Sequence, residues 1–174
     1  MIFGEKVGFY FIISAKKVDS MHKKMYNNKN IHNQKVCINT RWLMTRREAR
    51  EELFKLVYEK NIRSESAEDL YEAESLERDL KDKYIKSAFI GIFEKAEEID
   101  ALISENARGW KIGRLSKVTL AIIRISVYEM LYADIPVSIS INEAIELAKK
   151  YADDSAPSFV NGILNTIAKQ KGLK

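Results

Sequence analysis

Apolar residues recur at helical spacing through the last third of the chain and predict three helices there. From Ser116 to Tyr132 nearly every position is apolar, which is typical of a helix buried on all sides. Arg124 and Glu129 are the main interior charges of this segment, and we expect each to pair with the other or with a neighbouring helix. The segment predicts the central helix of a bundle.

Two further helices follow it. Ser140 and Glu143 have the spacing of a capping box, which predicts a helix start at Ser140. Pro157 marks the start of the last helix and Gly172 its end. The apolar stripe of the first of these helices is Ile141, Ala144, Ile145, Ala148 and Tyr151, and that of the second is Phe159, Val160, Ile163, Leu164 and Ile167.

Capping residues also predict two helices earlier in the chain. Thr45 and Glu48 form a second capping-box pattern, which begins a first helix directly after Met44. Ser66 caps a second helix that ends near residue 79. Its thin apolar stripe is Leu70, Ala73 and Leu76 with Glu77.

One long third helix is predicted over residues 82–103, where Gly91 permits close packing of a neighbouring helix. Its apolar residues at helical spacing are Ile85, Phe89, Ile92, Phe93, Ala96, Ile99 and Ile103. Residues 106–113 predict a loop with Trp110 against the bundle. The whole pattern predicts an all-α, compact bundle of about six to seven helices.

The charge of the chain divides at residue 44. The length of 174 residues is that of one domain, and the net charge is +4. Residues 1–43 carry eight Lys and Arg against two acidic residues, whereas residues 44–174 carry 21 basic and 23 acidic residues. Because the second part has a net charge of −2, nucleic-acid binding there would require a local basic patch.

The sequence of the first 43 residues indicates that this segment lies outside the helical bundle. The apolar run from Val7 to Ile13 is too short to span a bilayer and lacks the features of a secretory signal. The Lys- and Asn-rich stretch that follows, residues 16–39, is typical of disorder. We interpret residues 1–43 as a disordered extension or as sequence upstream of a start at Met44. The alternative is a basic arm that adds RNA affinity.

Residues 44–174 contain no Cys and no His, since Cys37, His22 and His32 all precede them. Thiol catalysis, Ser-His relays and the usual zinc sites therefore have no residues there. The five glycines of this part form no phosphate-binding loop. We predict a protein without catalytic activity, metal or cofactor, although counting alone does not exclude a pair of carboxylates.

The first helix combines guanidinium groups and rings along one flank. At about 3.6 residues per turn, its core face is Ala49, Leu53, Leu56 and Val57, and the flank is Arg47, Arg50, Phe54 and Tyr58. Arginine pairs with phosphates, and aromatic rings stack on unpaired bases, so this flank suits single-stranded RNA. The alternative is an ordinary amphipathic helix with solvated arginines and half-buried rings at its edge.

Four segments resemble the bacterial transcription antitermination factor NusB family. They are Arg46–Tyr58 (RREAREELFKLVY), Arg124–Leu131 (RISVYEML), Ile141–Lys150 (INEAIELAKK) and Ser158–Leu164 (SFVNGIL). The resemblance covers about residues 44 to 172. It implies two small helical subdomains packed together, the first built on the first three helices.

The resemblance also implies a function. A protein of this family binds the boxA element of nascent ribosomal RNA together with NusE, a ribosomal protein. The pair loads onto elongating RNA polymerase and suppresses premature termination. The resemblance thus implies a cytoplasmic, non-catalytic RNA-binding factor, and it leaves open a monomer or a homodimer, since both occur in the family.

By this resemblance the start of the first helix faces RNA. Glu48 occupies a position that is basic in many relatives, so one cation is missing. A second RNA-facing element leads into the last helix, where Phe159 fits the core stripe equally well. The candidate RNA-binding residues are Arg46, Arg47, Arg50, Phe54, Lys55 and Tyr58 on the first helix and Asp154, Ser155 and Phe159 in the second element.

The acidic residues Glu94, Glu97 and Glu98 on the third helix are candidates for the contact with NusE, and the alternative for them is a solvated face.

Two other functions stay open. One is a helical protein-interaction scaffold without RNA binding. The other is the NusB-like domain that precedes ribosomal RNA cytosine methyltransferases, which is disfavoured because residues 44–174 hold neither a Rossmann-type Gly-rich segment nor a catalytic Cys.

Overall fold

The computed structural model describes residues 44–78, 80–107 and 112–173. The predictions for residues 1–43 and for Trp110 lie outside these residues. Within them the chain forms seven α-helices and a short 3-10 helix at Ile112–Arg114, which confirms the predicted all-α fold. The α-helices are α1 (Arg46–Lys60), α2 (Ala67–Glu77), α3 (Lys83–Glu94), α4 (Ala96–Asn106), α5 (Lys117–Tyr132), α6 (Val137–Tyr151) and α7 (Ala156–Gln170).

Helix α5 is the centre of the bundle, as its apolar sequence predicts. It contacts α1, α3, α4, α6 and α7, and Ile122, Ile123 and Val127 on it are fully buried. The buried residues of all seven helices form one continuous hydrophobic core. In the part of the chain that the structure describes, no helix is long and apolar enough to cross a membrane.

Both interior charges of α5 pair with neighbouring helices. Arg124 donates two hydrogen bonds to the carboxylate of Asp100 on α4, at 2.8 and 2.6 Å. Glu129 accepts a hydrogen bond from Arg50 on α1. The prediction that these charges are paired is confirmed, and both pairs join α5 to another helix.

The predicted caps of α1 and α2 are present, and Pro157 marks the start of α7 as predicted. Thr45 N donates to Glu48 Oε2 at 2.7 Å, and Glu48 N donates to Thr45 Oγ1 at 3.2 Å, which completes the capping box. Ser66 Oγ accepts from Asp69 N at 3.0 Å at the start of α2. Pro157 lies in the first turn of α7, and Gly172 follows that helix with a positive φ of 66°, a conformation that favours glycine.

The predicted long third helix is wrong, because the chain forms two helices that meet at Lys95. Lys95 has φ −101° and ψ 13°, outside the α-helical region. Helix α3 packs on α1 and α2, whereas α4 packs on α7. The change of direction at Lys95 lets each half bury its apolar side against a different part of the bundle.

The predicted capping box at Ser140 is also wrong. Helix α6 already begins at Val137, after Pro136. Ser140 is fully buried within the helix, where its hydroxyl donates to Glu129 Oε2 at 2.7 Å. Glu143 turns instead toward the guanidinium of Arg50, at 3.4 Å. Both side chains of the apparent box therefore bind partners on other helices.

The apolar stripe predicted for α2 is displaced. Leu76 is 86% exposed, while Ala67, Leu70, Tyr71 and Glu74 are buried. The buried carboxylate of Glu74 is held by two guanidinium groups, those of Arg63 at 3.2 Å and Arg78 at 3.0 Å. These arginines compensate for the cost of burying a charge, and Leu76 is left on the solvent side.

Gly91 permits close packing, as predicted. It lies on α3 directly below the ring of Tyr128 on α5. A Cβ at this position would be 2.7 Å from two ring carbons of Tyr128, too close for any van der Waals contact. The absence of a side chain therefore lets α3 and α5 approach each other here.

Candidate nucleic-acid interface

Two guanidinium groups are accessible at the start of α1. Arg46 is exposed, with its guanidinium carbon 4.8 Å from the centroid of the Tyr84 ring. The side chain of Arg47 is 65% exposed and lies 3.6 Å from Glu143 and 3.8 Å from Glu146. Exposed ion pairs such as those of Arg47 contribute little free energy, and an exposed cation–π contact such as that of Arg46 contributes about 0.5–1 kcal/mol, so both arginines can exchange these contacts for an anionic ligand.

Arg50 is not on the surface, so the predicted exposed flank is wrong at this residue. It is only 4% exposed, and its Nε donates to Glu129 Oε1 at 2.8 Å. Glu129 is itself fully buried. A buried charge is stable only when it is paired and hydrogen-bonded, and this pairing removes Arg50 from direct contact with a ligand.

Glu129 is the centre of a buried polar network. It also accepts hydrogen bonds from the hydroxyls of Tyr84 and Ser140. Burial lowers the pKa of Arg50, but the charge and the hydrogen bond of Glu129, with further contributions from Tyr84 and Glu143, together outweigh burial, and the net shift is upward. Burial and the negative Glu129 both raise the pKa of Tyr84. Arg50 therefore stays charged and Tyr84 neutral. Because the residues of this network come from α1, α3, α5 and α6, their hydrogen bonds link these four helices.

The two rings predicted for the flank are positioned differently from each other. Phe54 is 4% exposed, and its centroid lies 4.8 Å from the Tyr151 ring and 6.3 Å from the Tyr58 ring. Tyr58 and Tyr151 are half-buried at the edge of the core. Phe54 is thus the inner member of this row of rings and does not lie on an exposed flank, whereas Tyr58 and Tyr151 reach the surface.

Lys55 and the capping residue Glu48 are each held by a near neighbour. Lys55 Nζ lies 2.6 Å from Glu52 on the same helix, and its side chain is 40% exposed. The backbone N–H of Thr45, which donates to the carboxylate, lowers the pKa of Glu48. Glu48 therefore has a structural role in capping α1.

The segment that leads into α7 is organised by Asp153 rather than by Asp154 or Ser155. Asp153 Oδ1 accepts from Ser155 Oγ at 2.6 Å and from Ala156 N at 3.0 Å, and the hydrogen bond from Ser155 lowers the pKa of Asp153. Asp154 and Ser155 are exposed. Phe159 is half-buried: it packs against the core and also lines a groove beside Ser155 and the start of α5.

Helices α1 and α6 bring the two predicted elements to one side of the molecule. Moving along both helices in the same direction, Arg47 contacts Glu146, Glu51 contacts Lys150 at 2.7 Å, and the Phe54 ring packs at a tilt against Tyr151. Asp153 follows two residues after Tyr151. We call this surface the α1–α6 face and define it as Arg46, Arg47, Tyr58, Lys149, Lys150 and Tyr151.

Lys149 and Lys150 were not singled out by the sequence as ligand-binding residues. Their side chains are 59% and 56% exposed, and both line one groove with Arg47. A sequence signal was available, since two consecutive lysines end a helix beside the proposed second element. The two lysines become candidate ligand-binding residues only when the structure places α6 beside α1.

The three carboxylates predicted to bind the partner are exposed on a different surface. Glu94 ends α3, and Glu97 and Glu98 lie in the first turn of α4, rather than on one helix as predicted. Burial and a hydrogen bond with Glu98 raise the pKa of Tyr132 to about 12. Tyr132 packs at a tilt against Tyr128, with 5.5 Å between the ring centroids. Acidic and aromatic side chains thus share this surface.

Comparison with known proteins identifies the family. The model of the NusB family matches residues 47–169. This chain belongs to the NusB family. The family membership that the four sequence segments indicated is confirmed. A curated transcription antitermination protein NusB from Ruminiclostridium cellulolyticum is 46% identical over 131 residues, which cover 72% of this chain and 90% of that protein.

Solved NusB structures share the fold. The NusB structure from T. maritima is 37% identical and superimposes with a TM-score of 0.64, covering 73% of this chain and 92% of that one. A crystal structure of the antitermination factors NusB and NusE in complex with dsRNA matches with a TM-score of 0.65 and 30% identity, covering 72% and 96%. The matched portion in both cases is close to the length of the helical bundle.

Proposed function

We propose that this chain is a non-catalytic, cytoplasmic antitermination factor that binds boxA of nascent ribosomal RNA together with NusE and acts on elongating RNA polymerase. Its membership in the NusB family sets this class of function. The structural observation that carries the proposal is the pair of exposed guanidinium groups of Arg46 and Arg47 at the start of α1. Residues 44–174 would form the RNA-binding domain, with residues 1–43 as an extension.

The α1–α6 face is the proposed RNA surface. Its arginines and lysines would pair with phosphates, and the half-buried rings of Tyr58 and Tyr151 would stack on bases. Lys55, Asp154, Ser155 and Phe159 border this face and remain candidate contacts. Arg50 and Phe54 would act from inside the fold, by fixing the position of α1 against α5 and α6.

The acidic surface of Glu94, Glu97, Glu98 and Tyr132 is the proposed contact for NusE. A solved relative contains NusB, NusE and RNA together. A ribosomal protein that binds RNA carries positive charge, and it is complementary to three exposed carboxylates beside an aromatic pair. This arrangement leaves the α1–α6 face free for RNA while the partner is bound.

The double variant Arg46→Ala/Arg47→Ala tests the RNA proposal. We expect the Kd of the full chain for a labelled boxA RNA in the presence of NusE to rise roughly 10- to 100-fold, because two phosphate contacts of about 1 kcal/mol or more are lost. The slope of log Kd against log salt should fall by about two. Fluorescence anisotropy across a salt series measures both quantities.

Lys169→Ala/Lys171→Ala is the matched control, since it removes two exposed cations at the far end of α7 from Phe159. We expect it to leave the Kd unchanged. If the wild-type chain binds the RNA in neither the presence nor the absence of NusE, the protein-interaction scaffold becomes the better account. Equal binding by wild type and the Arg46/Arg47 variant would remove the RNA surface from α1.

A further inference from the structure

The groove between α1 and α6 carries as many carboxylates as exposed cations. Arg47, Lys149 and Lys150 line it, and so do Glu51, Glu143 and Glu146. Each of these cations has a carboxylate within 4 Å. The buried Arg50 also lines the groove, which therefore has only a small excess of positive charge, although it presents three exposed cationic groups.

Two of these carboxylates have structural partners. Glu143 lies 3.4 Å from the buried guanidinium of Arg50. Glu51 accepts a hydrogen bond from the hydroxyl of Tyr151, which packs on Phe54. Both residues hold α6 against α1, so their presence in the groove is explained by the fold.

Glu146 has a different environment. Its side chain is 47% exposed, 2.7 Å from Lys149 Nζ and 3.8 Å from the guanidinium of Arg47. Both partners are themselves exposed, at 59% and 65%. Ion pairs this exposed contribute about 0–1 kcal/mol to stability. The fold therefore gains little from a carboxylate at this position.

We propose that Glu146 limits the affinity of this chain for RNA by competing with RNA phosphates for Arg47 and Lys149. This inference rests on the proposed function. A phosphate that approaches either cation must replace the carboxylate and then remain near its negative charge. Like charges a few ångströms apart repel, and salt weakens that repulsion when both are exposed.

This competition opposes phosphate contacts and does not depend on the bases. Binding to RNA without regard to sequence rests on phosphate contacts, so Glu146 weakens it directly. Base contacts and the contacts that NusE adds are not opposed by this carboxylate. Glu146 therefore makes stable RNA binding by this chain depend on the right sequence and on the partner.

The variant Glu146→Gln tests the inference in the full chain. We expect its Kd to fall about two- to fivefold at low salt, for labelled boxA RNA and for a scrambled RNA alike. The gain should shrink toward none as salt rises, and it should be smaller in an Arg47→Ala background, where one of the two competed cations is absent. Anisotropy titrations without NusE measure the Kd of the wild type, of Glu146→Gln, of Arg47→Ala and of the double variant at each salt concentration.

Glu72→Gln is the matched control, because Glu72 is exposed on α2, outside the α1–α6 groove. It should leave both Kd values unchanged. An unchanged or higher Kd for Glu146→Gln at low salt, or a gain that persists undiminished at high salt, would overturn the inference. If the wild-type chain binds neither RNA at any salt, with or without NusE, the proposed function falls with it. If wild type binds and Arg46→Ala/Arg47→Ala weakens binding, a null result at Glu146 overturns this inference alone.

Discussion

Replacing Arg50 by alanine is expected to lower the free energy of unfolding by about 3–5 kcal/mol. Arg50 and Glu129 are 4% and 0% exposed, and the guanidinium Nε donates to the carboxylate at 2.8 Å. Removing the guanidinium leaves the carboxylate buried without its cation. Tyr84 and Ser140 still donate to it, but hydroxyls do not compensate for the lost opposite charge.

Urea denaturation of Arg50→Ala and of Arg46→Ala separates this role from that of a surface arginine. Arg46 is exposed, so its replacement should change the free energy of unfolding by no more than about 0.5 kcal/mol. A loss below about 1 kcal/mol for Arg50→Ala would contradict the buried pair. Weakened RNA binding by Arg50→Ala would report loss of the fold and not loss of a phosphate contact.

Replacing Phe89 by alanine is the second change with a large expected effect, also about 3–5 kcal/mol. Phe89 is fully buried on α3. Its ring lies 5.3 Å from that of Phe93, edge to face, and 6.1 Å from that of Tyr71 on α2. Deleting the ring leaves a cavity where α3 meets its neighbours and removes the aromatic contacts as well.

Leu76→Ala provides the contrast for this prediction. Leu76 belongs to the apolar stripe that the sequence predicts for α2, yet it is 86% exposed. We expect its replacement to change stability by no more than about 0.5 kcal/mol. Chemical denaturation of both variants measures the difference, and similar losses at the two positions would contradict the packing of α2 and α3.

The parts of the fold that local chemistry determines were predictable from the sequence. The capping box of Thr45 and Glu48 involves residues three apart, so its pattern carries all the information that its hydrogen bonds need. The same holds for Ser66 at the start of α2. The nearly all-apolar sequence of α5 likewise predicts its central position, because such a helix has no side that favours water.

Features that depend on distant partners were not predictable in this way. Ser140 and Glu143 have the spacing of a capping box, but Glu129 and Arg50 on other helices bind their side chains. The apolar spacing continues through Lys95 without a break, and the helix ends there because its two halves pack on different neighbours.

The candidate site shows the same division. Helical spacing places Arg50 beside the exposed Arg47, and Glu129, 79 residues further along the chain, determines that Arg50 is buried. The arginines at the start of α1 were accessible to sequence reasoning, whereas Lys149 and Lys150 were not. Their relation to α1 arises from the side-chain contacts that join α1 and α6.

Mapping where RNA lies on the protein tests the proposed RNA surface directly. A boxA RNA can be cross-linked by ultraviolet light to the full chain in the presence of NusE, and the cross-linked peptides identified by mass spectrometry. We expect cross-links at the start of α1 and between Lys149 and Phe159. Cross-links confined to the surface of Glu94, Glu97 and Glu98, with none on α1 or α6, would contradict the proposed RNA surface.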